Sequence, residues 1–463
     1  MTDAATALRD ILKTVNRPLT GADACEITGK DPVLPTHFLL GTAASAALTA
    51  VGLAAADIWA LRTGKRQKVT VDTRAASIAL RSERYLRIGD GEASDLWSEI
   101  SGVYKTKDGR WIQLHCNFPH HAAGTLKVLG CAETKAAVTE AVASWNGEDL
   151  ETALASKGMC ARMLRSPEEW AAHEQGKAIA QLPLMEIVKI GDCAPQPLPA
   201  GDKPLSGIRG LDLTRVLAGP VSGRLLAGFG ADIMRIAGPH LPFAQPLVVD
   251  TGFGKLTAHL DLREKADRDT LMALAREADV FTQAYRPGAI AGRGFTPEVL
   301  AEARPGIVCV NLCAYSHAGP WRELRGFDSL VQTASGISYE GGEGKGPGPL
   351  PAQALDHITG YLAAFGTMVA LSRRMRDGGS WLVRLSLAQT GHWINGLGRH
   401  GTLADARKLP DPTLDDIRDL TMQTDSPFGR LTHLKPPIGL SETPMGWSRP
   451  PVPLGTHAPV WPQ

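Results

Sequence analysis

No Cys-x-x-Cys pair occurs in the chain, and its seven cysteines (Cys25, Cys116, Cys131, Cys160, Cys193, Cys309 and Cys313) are scattered and odd in number. That pattern argues against a disulfide framework and for a reducing, cytoplasmic setting. Neither sign of charge is in excess: 49 Lys and Arg against 48 Asp and Glu leave a formal net charge of +1. Broad binding to nucleic acid or to an anionic membrane then lacks its electrostatic basis, although a local cationic pocket stays open. No basic segment followed by an apolar one opens the chain at Met1-Thr2-Asp3-Ala4, so no signal peptide is expected. One charge-free stretch, residues 38–56, imitates a membrane span, but it is mostly Ala, Gly, Thr and Ser, with Asp57 and Arg62 close behind. It reads as a buried helix.

Chemical signatures are missing as well. No Gly-x-Ser-x-Gly elbow supports a serine hydrolase. Lys345 is followed by Gly346 instead of Ser or Thr, which argues against a Walker phosphate loop. His115, Cys116, His120 and His121 cluster like metal ligands. Neighbours on a strand point to opposite faces, and adjacent histidines rarely converge on one ion, so no metal site is expected.

What is present is a chain of 463 residues, 43% apolar and 21% charged, long enough for two or three domains with a large core. Residues 36–62 read as helix and 67–72 as strand; residues 356–376 and 381–386 repeat the pattern. A shift of 314 positions places Leu48 on Leu362, Gly52 on Gly366, Arg62 on Arg376, Gly64 on Gly378 and Val69 on Val383, which reads as a duplicated unit. Thr42 falls on Asp356, so the chemistry is expected in the second copy. Between the copies, residues 98–194 read as a small α+β domain. It has a hairpin around Asp108-Gly109 and helices near 133–145, 147–157 and 166–180. Residues 195–206 are a Pro-rich linker. Strands near 208–213, 232–236, 279–283 and 307–313 alternate with helices near 219–229, 264–277 and 296–303. The alternation predicts an α/β fold with a Rossmann-like parallel sheet and ligand at the carboxyl ends of its strands. The expected division is a degenerate copy (1–97), the small domain, the linker, a nucleotide-binding and catalytic domain (207–405) and a tail (406–463) that packs back on it.

Asp356 opens the second apolar helix, just past a run containing Gly341, Gly342, Gly344, Gly346 and Gly348. A carboxylate at a helix start is held as the anion by free backbone N–H groups and the helix dipole. A glycine loop beside it would serve as a lid that excludes water. Together they suggest a carboxylate nucleophile.

Several segments then resemble the family III CoA-transferases. Gly207 to Pro220 looks like that family's opening strand and turn, and Phe229 to Ile236 like its second strand. Lys255 matches a family lysine near the CoA phosphates, and Tyr285-Arg286-Pro287-Gly288 an Asn-Phe-Arg-Pro-Gly turn with Ala284 in the asparagine's place. His317 to Trp321, Arg325 to Asp328, and the tail segments Ser441 to Pro444 and Pro451 to Gly455 add to the likeness. Asp356 matches the nucleophilic aspartate. The order of parts departs from the family, because a helix–strand copy and the small domain come first. Ala237 replaces the usual Glu, and Gly238 replaces a cation.

The resemblance implies transfer of CoA between carboxylic acids through an aspartyl anhydride and an aspartyl-CoA thioester on Asp356. It implies CoA contacts from Leu217, Ala218, Lys255, Tyr285, Arg286, Arg293 and Arg325, with Gly341, Gly342 and Gly344 in the lid. Acyl-CoA and a free acid are the expected partners, with no other cofactor, in a homodimer. A CoA-binding member with weak or no catalysis is an alternative. An acyl-CoA racemase is another, although Phe327 stands where that branch carries a histidine base.

Overall fold

The second half of the chain alternates short apolar strands with amphipathic helices, and the strands assemble into one seven-stranded sheet. A computed structural model describes residues 2–20, 23–92 and 96–462; Met1, the first residue of the N-terminal stretch, lies outside them. Six strands run parallel, in the spatial order Lys255–His259, Asp232–Ala237, Arg209–Leu213, Val280–Gln283, Val308–Cys313, Ser380–Ser386. Numbered along the chain, that order is 3-2-1-4-5-6, the doubly wound arrangement that leaves a crevice between the first and fourth strands. The interior residues of these strands are buried because helices cover both sheet faces.

The seventh strand, Glu186–Gly191, pairs antiparallel with Ser380–Ser386 at the sheet edge. This corrects the end of the small domain: its last strand belongs to the large sheet. The remainder of that domain has its own antiparallel sheet, Gly102–Lys105, Trp111–Leu114 and Ala161–Met163, with its own apolar core. The helix expected over 166–180 divides at His173, whose extended ψ of 140° separates Pro167–Ala172 from Glu174–Ala180.

Two long helices, Leu40–Thr63 and Ala354–Asp377, pack on each other inside the main core. Each has 24 residues, and 314 positions separate both their first and their last residues. Their preceding residues share one conformation, φ −77°, ψ 59° at Leu39 and φ −80°, ψ 59° at Gln353. Each helix also seats a glycine against the strand that follows. A Cβ at Gly52 would lie 2.4 Å from Val69 Cγ1, and one at Gly366 would lie 2.8 Å from Val383 Cγ1. The first long helix is therefore tied to a three-stranded sheet of Cys25–Thr28, Val69–Asp72 and Gly439–Leu440, while the second serves the large sheet. The tail reaches both regions. Thr421–Ser426 and Gly429–Leu434 form a sheet with Arg87–Ile88, and Trp461 Nε1 donates to Leu274 O at 3.1 Å.

Candidate active site

A cavity of about 470 Å³ opens at the carboxyl ends of the parallel strands. Its walls follow the topology: Arg215 and Val216 come after the first strand, Gly238 and His240 after the second, and Asp261 to Arg263 after the third. Ala284 to Pro287 follow the fourth strand and Ala314 the fifth. The small domain contributes Phe118, His120 and His121. Val216 holds φ +67°, a left-handed conformation that a β-branched residue rarely adopts. Such strain persists only where the surroundings over-determine it, and it concentrates at ligand sites. Nothing in the sequence marks it.

Asp356 lines this cavity while remaining only 8% exposed. It is the third residue of its helix, so the expected helix start lies two residues earlier. Its own N–H donates to Asp328 Oδ2 at 2.9 Å. The Ala218 N–H, at the start of helix Ala218–Gly228, donates to its carboxylate. Burial pushes the Asp356 pKa well above the usual carboxylate range, and the charges of Asp328 and Glu83 push it further. The expectation that helix N–H groups hold this carboxyl ionised is thereby corrected: desolvation and two neighbouring acids outweigh the one N–H that reaches it. Asp328 is raised too, chiefly by its own burial.

The cations divide into those that line the cavity and one that does not. Arg286, Arg293 and Arg325 line the cavity, as do Tyr285 and Ala218. Among the described residues Arg286 and Arg325 have no carboxylate partner; Arg325 Nη1 donates to His121 Nε2 at 3.2 Å. Lys255 does not join them. It is 0% exposed, with Nζ 2.7 Å from Asp212 Oδ2 and 2.8 Å from Pro220 O. A buried ammonium needs such a partner, and its contact with Asp212 makes Lys255 half of a core ion pair outside the cavity lining, which corrects its assignment to CoA phosphates. Leu217 is likewise buried and does not line the cavity; its neighbours Val216 and Ala218 do.

The glycine run does not line the cavity either. It closes on itself: a Cβ at Gly341 would lie 2.0 Å from Gly348 O, and one at Gly342 would lie 1.8 Å from Gly346 O. Close backbone approach, not lid mobility, accounts for Gly341 and Gly342, while Gly344 sits at φ +70°. The lid assignment is corrected accordingly.

Sequence reasoning missed Arg215, Arg263, His240, His120 and His121 as lining residues. Arg215 sits two residues past a strand whose carboxyl end was already expected to meet ligand, so its position carried the signal. His240 and Arg263 line the cavity around Asp261, which is 3.3 Å from His240 Nδ1 and is ion-paired with Arg263. His121 is pushed down to about 3 by burial and by the charges of His120 and Arg325, so it is a neutral imidazole. Phe327 stacks on His115 with ring centres 3.7 Å apart and lines the cavity beside Asp356. The arrangement unites a buried carboxyl, one backbone N–H aimed at it, and three arginines, Arg286, Arg293 and Arg325, with no carboxylate partner among the described residues and suited to phosphate.

The family model described as CoA-transferase family III matches residues 18–186 and 205–408. The acyl-CoA transferase of Gibberella moniliformis is 33% identical over 319 residues, covering 64% of this chain and 56% of that protein. The formyl-CoA:oxalate CoA-transferase of Escherichia coli is 30% identical over 210 residues, covering 40% of this chain and 47% of that protein. The chain spans about half the length of the curated relatives it matches. A crystal structure of a hypothetical protein from Mycobacterium tuberculosis aligns with TM-score 0.40 at 30% identity, covering 42% of this chain and 59% of that one.

Proposed function

This chain belongs to CoA-transferase family III, and on that premise we propose that it moves coenzyme A between carboxylic acids, with Asp356 as the nucleophile. Ionised Asp356 attacks the thioester carbonyl of a bound acyl-CoA and expels the CoA thiolate, leaving a mixed anhydride. The thiolate attacks the Asp356 carbonyl of that anhydride and releases the donor acid, leaving CoA as a thioester on Asp356. The acceptor acid reverses both steps.

The observation that carries this reading is the placement of Asp356: a nearly buried carboxyl on the wall of a cavity at the crevice of a doubly wound sheet. Water exclusion favours transfer over hydrolysis of the anhydride. Holding thioester and carboxylate together contributes about 7–11 kcal/mol by positioning alone. Arg286, Arg293 and Arg325 line the same cavity without a carboxylate partner among the described residues and suit the CoA phosphates, and the Ala218 N–H supports the ionised state that attack requires.

Incubation with a panel of acyl-CoA thioesters, hydroxylamine treatment and peptide mass spectrometry tests the reading. A hydroxamate at Asp356, absent in Asp356→Ala, is the expected result. No modification of Asp356 by any thioester in the panel would sink it.

A further inference from the structure

Besides Asp328, a further carboxylate acts on Asp356, and the transfer steps above make no use of it. Glu83, in the short helix Ser82–Tyr85, is buried and does not line the cavity. Its Oε2 accepts from His357 Nε2 at 3.0 Å, and His357, the residue after Asp356, is itself fully buried. The bond ties the N-terminal region to the first turn of the catalytic helix across 274 positions of chain. Burial alone would raise Glu83; the His357 bond and charge more than offset it and hold Glu83 below the usual glutamate range, so its negative charge persists. Keeping a buried carboxylate ionised is costly, and among the described residues its only side-chain partners are His357 and, at 3.9 Å, Arg84.

We propose that Glu83 is a positioning residue for the transfer reaction: its hydrogen bond to His357 and its charge beside the helix start set the placement and the reactivity of Asp356. The inference rests on the reading of Asp356 as nucleophile. Asp356 meets the charges of Asp328 and Glu83 and the Ala218 N–H from three other helices, while His357 follows it on its own helix. Arg215, Arg325, His120 and His121 look into the same cavity, yet none forms an ion pair with Asp356 among the described residues. The second transfer step gives this a chemical purpose. When the thiolate attacks the Asp356 carbonyl, the C–S bond forms and the C–O bond to the donor acid breaks. The carboxylate of the stronger acid leaves more readily. A negative charge that keeps Asp356 the weaker acid makes the donor carboxylate the group expelled, and CoA ends on the enzyme.

The test follows the pH dependence of Asp356 adduct formation in the full chain, using acetyl-, propionyl-, succinyl- and octanoyl-CoA as probes. Glu83→Gln keeps an acceptor for His357 and removes the charge. Its half-maximal rate is expected to move about one pH unit lower. Glu151→Gln, which breaks a buried pair with Arg165 in the small domain, is expected to lower stability without moving the profile. A wild-type profile in Glu83→Gln overturns the positioning role, whereas no adduct in the wild-type chain overturns the nucleophile itself. Should Glu83→Gln not fold, Glu83→Gln with His357→Gln supplies a neutral pair in its place, and an unshifted profile there overturns the proposal equally.

Discussion

The two long helices begin in nearly the same way and end in different chemistry. At the first, Asp31 accepts from the N–H groups of Gly41 and Thr42 at 2.8 and 2.7 Å. At the second, Asp328 accepts from Asp356 N–H at 2.9 Å and also from Leu355 N–H. Both aspartates satisfy orphan amides of a helix that starts inside the core, where water is not available to do so. The residue that differs is the third of each helix: threonine in one, aspartate in the other. Its surroundings differ as well. Thr42 does not line the large cavity, and its helix serves a three-stranded sheet. Asp356 stands at the switch point of the six parallel strands. A shared helix start is a structural device; the two helices differ in the topology around it.

Substitutions at the third position break this comparison most sharply. Asp356→Asn is expected to lower transfer on the order of 10³-fold or more while CoA binding persists, read by a transfer assay beside calorimetric titration with CoA. Thr42→Asp adds a carboxyl next to Asp31, outside the cavity that Asp356 lines. It is expected to cost about 3 kcal/mol of stability and to create no second reactive carboxyl, read by urea unfolding and by hydroxylamine trapping. Retained stability in Thr42→Asp would show that the two starts are more alike than their surroundings imply.

The capping aspartates come next. Asp31→Asn and Asp328→Asn are each expected to cost about 1–2 kcal/mol of stability. Only Asp328→Asn should alter the pH profile of transfer, because its charge is one that raises Asp356. A smaller effect concerns pH and stability. Asp356 binds its proton more tightly folded than unfolded, so the native chain is favoured below the usual carboxylate range and loses stability as pH rises through it toward the folded value. Asp356→Asn removes that loss. Its stability advantage over wild type is expected to be larger at pH 8 than at pH 5, by on the order of 1 kcal/mol. Smallest of all, Thr42→Ala should leave transfer unchanged and cost less than about 1 kcal/mol.

Much of this was legible along the chain. The alternation from residue 208 onward placed five of the six parallel strands within a residue or two, because strands buried on both faces read as continuous apolar runs between turn residues; the edge strand Lys255–His259 was missed. The likeness to family III also pointed to Asp356 and to Arg286, Arg293 and Arg325, all of which reach one cavity. The failures share a cause. Lys255 has the composition of a phosphate ligand, but its partner Asp212 lies 43 positions away and is reached only through sheet pairing. The glycine run has the composition of a mobile loop, yet its glycines serve close backbone contacts that no local pattern reveals. Glu186–Gly191 reads as part of the domain that precedes it, and only the free edge of Ser380–Ser386 draws it into the large sheet.

What local chemistry settled by itself was the set of elements: periodicity and propensity act over a few residues, so helix lengths, strand positions and the 314-position correspondence are written in neighbouring side chains. Tertiary structure alone decided which charges are desolvated. The acidity of Asp356, the burial of Lys255 and the reach of Glu83 to His357 depend on distances between segments far apart in sequence. Electrostatic energy follows those distances and the exclusion of water.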